Sequence, residues 1–336
     1  MLLDFSKRAL FSRALDLTGC GRALRASRAW EGVLILNYHR IGEPHRSLLD
    51  RNLWSASQDT FDYQVSLAAK NFDIIGLDDL EQALKEPRGR YVMFTFDDGY
   101  RDNYTQAYPV LKGHGVPCTF FLTTGFIDAA QVPWWDEIAW MVRTSPLSAL
   151  DVNRWTSTPV PFEEPHRETA IRRLLNVYKG LPTETTADYM EFLSQALKSG
   201  RCPRAISNEL WMTWDMIREM RQGGMTFGGH TVTHPILANQ SAAEQDWQIS
   251  ECKRRLVEEI GEPIYAFSFP VGGRSSFNAF TRASLQQHGF RLAFTYHGNF
   301  CRPGHSDLHA ISRTAIETDI TPTQFRAVVT LPQLFA

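Results

Sequence analysis

Two adjacent carboxylates, Asp97 and Asp98, follow the apolar run Tyr91-Val92-Met93-Phe94 and precede Gly99. Aspartate is rarely buried unless a cation or a set of donors meets it. An interior strand ended by a glycine turn therefore delivers two acids with two uses: both hold a cation, or one holds it and the other handles a proton. A second cluster, His230-Thr231-Val232-Thr233-His234, follows Met225-Thr226-Phe227 and a glycine pair in the same way. Histidines four apart on a helical turn present both rings on one side, in reach of one divalent ion at roughly 2 Å. An aspartate with two histidines is a three-ligand zinc set that leaves a position open for water. Neighbouring residues off a strand end point differently, so one carboxylate ligates and the other takes a proton from the bound water. Such a centre suits hydrolysis of an amide or ester. The structural alternatives are a helix cap at Asp98 and a satisfied core residue at His234.

These residues need a frame that gathers strand ends. Segments 32–38, 91–96, 116–122, 225–227, 264–269, 292–296 and 310–312 read as strands, nearly all apolar. Helical patterns separate them at 60–71, 103–113, 208–222, 241–260 and 277–288, with another at 322–330. Apolar strands alternating with helices indicate an α/β fold whose parallel sheet is covered on both faces. About seven or eight such units can close a barrel, with the strand ends converging on one face. No G-x-G-x-x-G fingerprint follows a strand, which disfavours a doubly wound sheet. The expected organisation is an amphipathic helical extension at 1–30, a barrel at 31–320 with a helical insertion at about 129–205, and a C-terminal helix and tail at 321–336.

The chain has 336 residues, 43% of them hydrophobic, and a net charge of −2. Without a basic tract, nucleic acid is not expected as a partner. The five cysteines are scattered and none has C-x-x-C spacing, so neither a disulfide framework nor a cysteine zinc site is indicated. In the first 28 residues Leu and Phe alternate with Lys and Arg, and no unbroken apolar stretch or small-residue cleavage site occurs. This is a poor signal peptide and no membrane span. The expected location is the cytoplasm. Two placements suit the extension: a helix packed on the barrel, or peripheral contact with the inner membrane face.

Thr95-Phe96-Asp97-Asp98-Gly99 and His230-Thr231-Val232-Thr233-His234 together resemble the first two motifs of the polysaccharide deacetylase family, also called the NodB-homology or carbohydrate esterase family 4 domain. The resemblance extends over about 32–316 and implies a distorted (β/α)7 TIM-like barrel that removes acetyl groups from N-acetylated sugars. It implies that Asp97 is the general base and that Asp98, His230 and His234 hold a divalent metal ion, Zn²⁺ first, with Co²⁺, Ni²⁺ or Mn²⁺ as alternatives. The backbone N–H of Tyr100 would steady the oxyanion. The family's third motif carries an arginine, whereas Phe267-Ser268-Phe269-Pro270-Val271-Gly272 keeps only the proline and glycine, which would shape the rim of the acetyl pocket. This resembles members of exopolysaccharide pathways.

Arg313 is then the candidate to orient Asp97 by an ion pair. Asn37-Tyr38-His39-Arg40 resembles the Tyr-His that opens biofilm-type deacetylases, which implies His39 as the acid that protonates the leaving amine. His309, in Leu308-His309, is the alternative acid. Trp134-Trp135-Asp136 opens the insertion, where paired indoles beside an acid can stack on a sugar and bind its hydroxyls. The expected substrate is an N-acetylated glycan or a lipid-linked saccharide. The alternatives are a barrel that binds glycan without catalysis and an amidohydrolase for a small non-sugar amide.

Overall fold

The strands of this protein are buried on both faces, which is why they read as unbroken apolar runs. The computed structural model describes residues 5–27, 29–85, 89–296, 298, 300–302, 304 and 307–335. Its parallel strands are β1 (Gly32–Tyr38), β2 (Arg90–Phe96), β3 (Cys118–Leu122), β4 (Thr226–Gly229), β5 (Ala266–Ser268), β6 (Leu292–Phe294) and β7 (Thr314–Ala315). They hydrogen-bond in the order β6-β5-β4-β3-β2-β1-β7, and the two-residue strand Asp73–Ile74 pairs with β2. The closing segment leans both ways: Ile311 bridges Phe294 of β6, and Thr314 pairs with Leu36 of β1. The ring therefore narrows to one bridge at this seam, giving a distorted (β/α) barrel.

Strand parity explains what lies inside it. Leu34, Leu36 and Tyr38 of β1, with Val92, Phe94 and Phe96 of β2, face the surrounding helices in the larger core. Val33, Ile35, Met93, Phe121, Ala266 and Phe294 alternate with them and pack together in the barrel interior. Following the same alternation, the inward column changes from apolar to polar at Asn37, Thr95, Asp97 and Ser268, all fully or almost fully buried. The barrel is thus plugged with hydrocarbon at one end and lined with hydrogen-bonding groups at the other.

The insertion has its own core. Helices Trp134–Thr144, Arg167–Lys179 and Thr183–Ala196 bury Ile138, Met141, Ile171, Leu174 and Leu193, and this cluster meets the barrel through Tyr100 and Phe126. At the other end, helices Phe5–Leu17 and Cys20–Ala26 lie against helix Pro322–Thr330. Arg326 Nε donates to Asp16 Oδ1 at 2.7 Å, Arg25 donates to Thr330 Oγ1 at 2.8 Å, and the Phe11 and Phe335 rings stack. Residues 1–4 and Arg28 of the extension lie outside the described residues.

Three local expectations change. The last strand is Thr314–Ala315 rather than 310–312. The helix expected at 103–113 opens with a wide turn at Asn103–Ala107 and becomes regular only at Tyr108. Pro109, which lacks the N–H needed for the usual ladder, sits at that junction. The helix expected at 208–222 starts at Trp214, where Thr213 caps it, because Trp211 leaves the helical path to bridge Tyr100.

The inward face of β4 has no room for a side chain. A Cβ on Gly228 would lie 2.6 Å from the Phe121 ring and 2.7 Å from the Ala266 carbonyl oxygen. Gly228→Ala should therefore destabilise the fold by about 1–3 kcal/mol through overpacking, read as a lower denaturation midpoint; an unchanged midpoint would contradict this packing.

Candidate active site

The chain leaves β2 through two left-handed residues, Asp98 (φ 75°) and Gly99 (φ 91°). Asp tolerates this region better than most residues do. The reversal sends the adjacent carboxylates in different directions, so each meets its own partners.

Asp97 points into the barrel and is 2% exposed. Arg313 holds it with a two-pronged ion pair, Nη1 to Oδ1 at 2.8 Å and Nη2 to Oδ2 at 2.7 Å. The guanidinium also donates to the Thr295 carbonyl through Nε, to Asn37 Oδ1 and to Ser268 Oγ. Burial opposes charge on Asp97, but the Arg313 cation outweighs it and holds the carboxyl well below the usual carboxylate range. Asp97 is therefore ionised at any working pH.

Asp98 turns toward the histidines. Its Oδ1 lies 3.4 Å from Nε2 of His230 and 3.4 Å from Nε2 of His234. The two rings are not on a helical turn, as the spacing suggested. Thr231 (φ 68°) and His234 (φ 57°) are left-handed, in a tight loop after β4. A β-branched residue in this region is strained, and such strain persists only where neighbours impose it. Here Thr231 Oγ1 accepts the His234 N–H, and Gln248 Oε1, from helix Ala242–Ile260, accepts the N–H groups of Val232 and Thr233.

The donor set fits a divalent ion. One ligand atom from each of Asp98, His230 and His234 falls within 4.8 Å of the others. His230 Nδ1 lies 2.7 Å from the Ser268 carbonyl oxygen. A carbonyl only accepts, so that nitrogen carries the proton and the Nε2 lone pair faces the cluster. Burial resists charging both rings. It wins at His234, holding that imidazole down at about 3, while at His230 the carboxylates of Asp97 and Asp98 outweigh it and raise the pKa. Asp98 Oδ1 is buried without a hydrogen-bond partner, which a ligand position explains. One oxygen and two imidazole nitrogens suit zinc or a neighbouring transition metal.

A cavity of about 410 Å³ opens over these groups, and Asp97, Asp98, His230, His234 and His39 all line it. His39 is half-buried and sets its ring edge-on to Tyr296 at 5.4 Å. Trp134 and Trp135 form part of the wall; Trp135 lies 4.4 Å from the His234 ring, and Trp134 stacks flat on Tyr178 at 4.2 Å. Asn37, Thr95, Ser268 and Gln248 were missed as site residues. The first three were findable, since strand parity places a polar residue inward at each strand's end.

Other expected residues sit elsewhere. Asp136 is not in the cavity wall: it is fully buried behind it, accepting from the Tyr100 hydroxyl at 2.8 Å and the Asp50 N–H at 2.9 Å, and burial pushes its carboxyl up to about 7. It braces the insertion rather than meeting a sugar. Tyr100 is bridged to Trp211 through hydrogen bonds of Gly99 O and Arg101 N, so its own N–H is not spent there. Pro270 and Gly272 flank Val271, which lines the cavity. A Cβ on Gly272 would fall 2.3 Å from the Tyr296 nitrogen, so glycine lets that loop close on Tyr296. His309 lies away from the cavity, with Nε2 3.2 Å from the Phe290 carbonyl oxygen.

A family profile described as polysaccharide deacetylase matches residues 84–147 and 185–293, just over half of the chain. A 38-residue stretch is 55% identical to the Bacillus subtilis protein YxkH and covers 14% of that relative's length. Among solved structures, the Streptococcus pyogenes deacetylase PplD in complex with acetate superposes with a TM-score of 0.57 at 19% identity, covering 90% of this chain and 98% of that one. IcaB from Ammonifex degensii gives the same values, 0.57, 19%, 90% and 98%. At that identity these two likenesses speak for the fold.

The Asp97–Arg313 pair gives a stability prediction. Breaking a buried pair from one side leaves an uncompensated charge at a cost of about 3–5 kcal/mol. Arg313→Met should lower stability in that range, and adding Asp97→Asn should recover part of the loss in a double-mutant cycle by denaturation. Additive losses would show that the two groups do not stabilise each other.

Proposed function

The chain belongs to the polysaccharide deacetylase family, and on that premise we propose that it is a metal-dependent hydrolase removing N-acetyl groups from an exopolysaccharide or a lipid-linked sugar. The observation that carries this reading is the split of Asp97 and Asp98 between a guanidinium and two imidazoles on the floor of one cavity. Asp98, His230 and His234 would hold the ion, with Zn²⁺ favoured by its donor set. When bound, that ion supplies an acidified water and polarisation of the acetyl carbonyl.

The chain's own groups divide the remaining work. Asp97, ionised before reaction and locked by Arg313, accepts the proton of the attacking water. Its low basicity makes it a fixed acceptor rather than a strong one, so the arrangement demands a water that is itself acidified. The Tyr100 N–H donates to the oxygen that gains charge. His39, lining the same cavity, gives a proton to the departing amine. Trp134 and Trp135 offer ring faces and edges to the sugar. A barrel that only bound glycan would have no use for a second, metal-free carboxylate facing the same cavity as the three-ligand cluster, which disfavours it.

Metal-stripped protein should release no acetate from N-acetylglucosamine oligomers or lipid-linked acceptors, and one equivalent of Zn²⁺ per chain should restore release. Asp97→Asn should reduce kcat by about 10²–10⁴-fold while metal stoichiometry stays at one. His39→Ala should lower kcat. Acetate release from no acetylated glycan would overturn the substrate class; an unaltered kcat in His39→Ala would overturn its role.

The location we propose is cytoplasmic, with peripheral contact on the inner membrane face. Leu10 and Leu17, seven residues apart on helix Phe5–Leu17, are 72% and 89% exposed, a short apolar stripe suited to the lipid interface. The chain should float with vesicles containing anionic lipid, and Leu10→Glu with Leu17→Glu should abolish flotation. Equal flotation of the variant would remove this placement.

A further inference from the structure

Helix Arg167–Lys179 of the insertion lays Arg172, Asn176 and Lys179 along the cavity wall. Spacings of four and three put the three on one helix face, spanning about 10 Å over two turns. The remaining arginines of this helix are engaged. Arg173 donates to the carbonyls of Thr158 and Pro159, and Arg167 to the Phe162 carbonyl and to Glu164. The Arg172 guanidinium and the Lys179 ammonium have neither a hydrogen bond nor an ion pair among the described residues, the one contact at Lys179 outside its own helix being its backbone carbonyl, which accepts from the Asn239 amide.

The acids of the same wall already have their donors. Asp97 is held by Arg313, and Asp98 faces the two histidines. Asp50 accepts from the backbone and side chain of Asn52, and Glu317 accepts the Tyr296 hydroxyl. Two cations thus face a ligand cavity with neither side chain in an ion pair; among the acids of the wall, Asp50 acts on Lys179 through its field without a direct contact. A neutral glycan would be served by the amide of Asn176 and the neighbouring indoles. Paired guanidinium and ammonium groups instead match anionic oxygens: arginine grips phosphate or carboxylate in a fork, and lysine adds a point charge.

We propose that Arg172 and Lys179 form an anion subsite beside the Asp98–His230–His234 cluster, selecting a glycan that carries a phosphate or carboxylate group near the acetylated sugar. The inference rests on the deacetylase reading for what the neighbouring cluster does to that glycan. The subsite itself concerns binding and is testable apart from turnover.

The measurement is calorimetric titration of metal-free protein, so that no added anion can ligate an ion. The probes are N-acetylglucosamine, its 1-phosphate, and N-acetylmuramic acid, the last supplying a carboxylate. At least one charged sugar should bind about tenfold or more tightly than the neutral one, an advantage that shrinks as salt is raised. In Arg172→Gln with Lys179→Gln, the ratio of charged to neutral affinity should fall toward one, with retained Zn²⁺ stoichiometry reporting an intact fold. A stronger phosphate arm points to a phosphate-linked saccharide, and a stronger carboxylate arm to an acidic polymer. Equal binding of all three sugars, or an unchanged ratio in the double variant, overturns the subsite. Preferential binding without acetate release by the metal-loaded protein would strike the deacetylase reading and leave the subsite standing.

Discussion

A buried guanidinium organises this molecule. Arg313 is 1% exposed, and its hydrogen bonds reach Asn37 of β1, Asp97 beyond β2, Ser268 of β5 and the Thr295 carbonyl beyond β6. It enters from the segment just before β7, where the backbone ladder of the barrel is reduced to the bridge between Phe294 and Ile311. The side chain therefore joins strands that the sheet itself joins only weakly. Desolvating such a cation is costly, and only the carboxylate together with the full set of acceptors offsets that cost. The seam of the barrel and the ionisation of Asp97 are consequences of one contact set.

The same economy appears at Ser268. Its hydroxyl accepts from Arg313 while its carbonyl oxygen accepts from His230 Nδ1. One residue thus couples the carboxylate side of the site to the imidazole side, and fixes which nitrogen of His230 faces the cluster. Phe121 and Phe294, whose rings lie beneath the Arg313 guanidinium at 5.4 Å and 5.9 Å, exclude water from below. Hydrocarbon at one end of the barrel strengthens the electrostatics at the other.

Much of this was legible in the residues. The apolar strands, their alternation with helices and the glycines after β2 and β4 mark where chemistry can sit, because each reflects local sterics or a period-two pattern. Long-range pairing was harder. Nothing near Asp97 in the chain announces that its partner lies 216 residues away, and Arg313 could be nominated only because the usual position held Phe267 or Ser268. The loop at His230–His234 misled for a physical reason: a spacing of four fits a helical turn, but the φ values of Thr231 and His234 are imposed by Gln248 and Thr231 Oγ1, contacts invisible to local pattern. Trp-Trp-Asp looked like one binding motif, yet helix geometry turns Asp136 into the core while its two neighbours line the cavity.

The insertion buries Ile138, Met141, Ile171, Leu174 and Leu193 in a core separate from that of the barrel, yet supplies Trp134, Trp135, Arg172 and Lys179 to the shared cavity. Catalyst and selector are consequently built as two modules with separate cores, joined where Tyr100, Phe126 and Trp211 enter the insertion's core and through hydrogen bonds such as Asp50 N–H to Asp136 and Thr183 to the Asn239 carbonyl. Substitutions that reshape the wall are absorbed by one core, while the reacting groups keep the geometry set by the other. Such a chain can diverge in which sugar it admits while its hydrolytic machinery stands still, so differences among its relatives should accumulate on the helical side of the cleft.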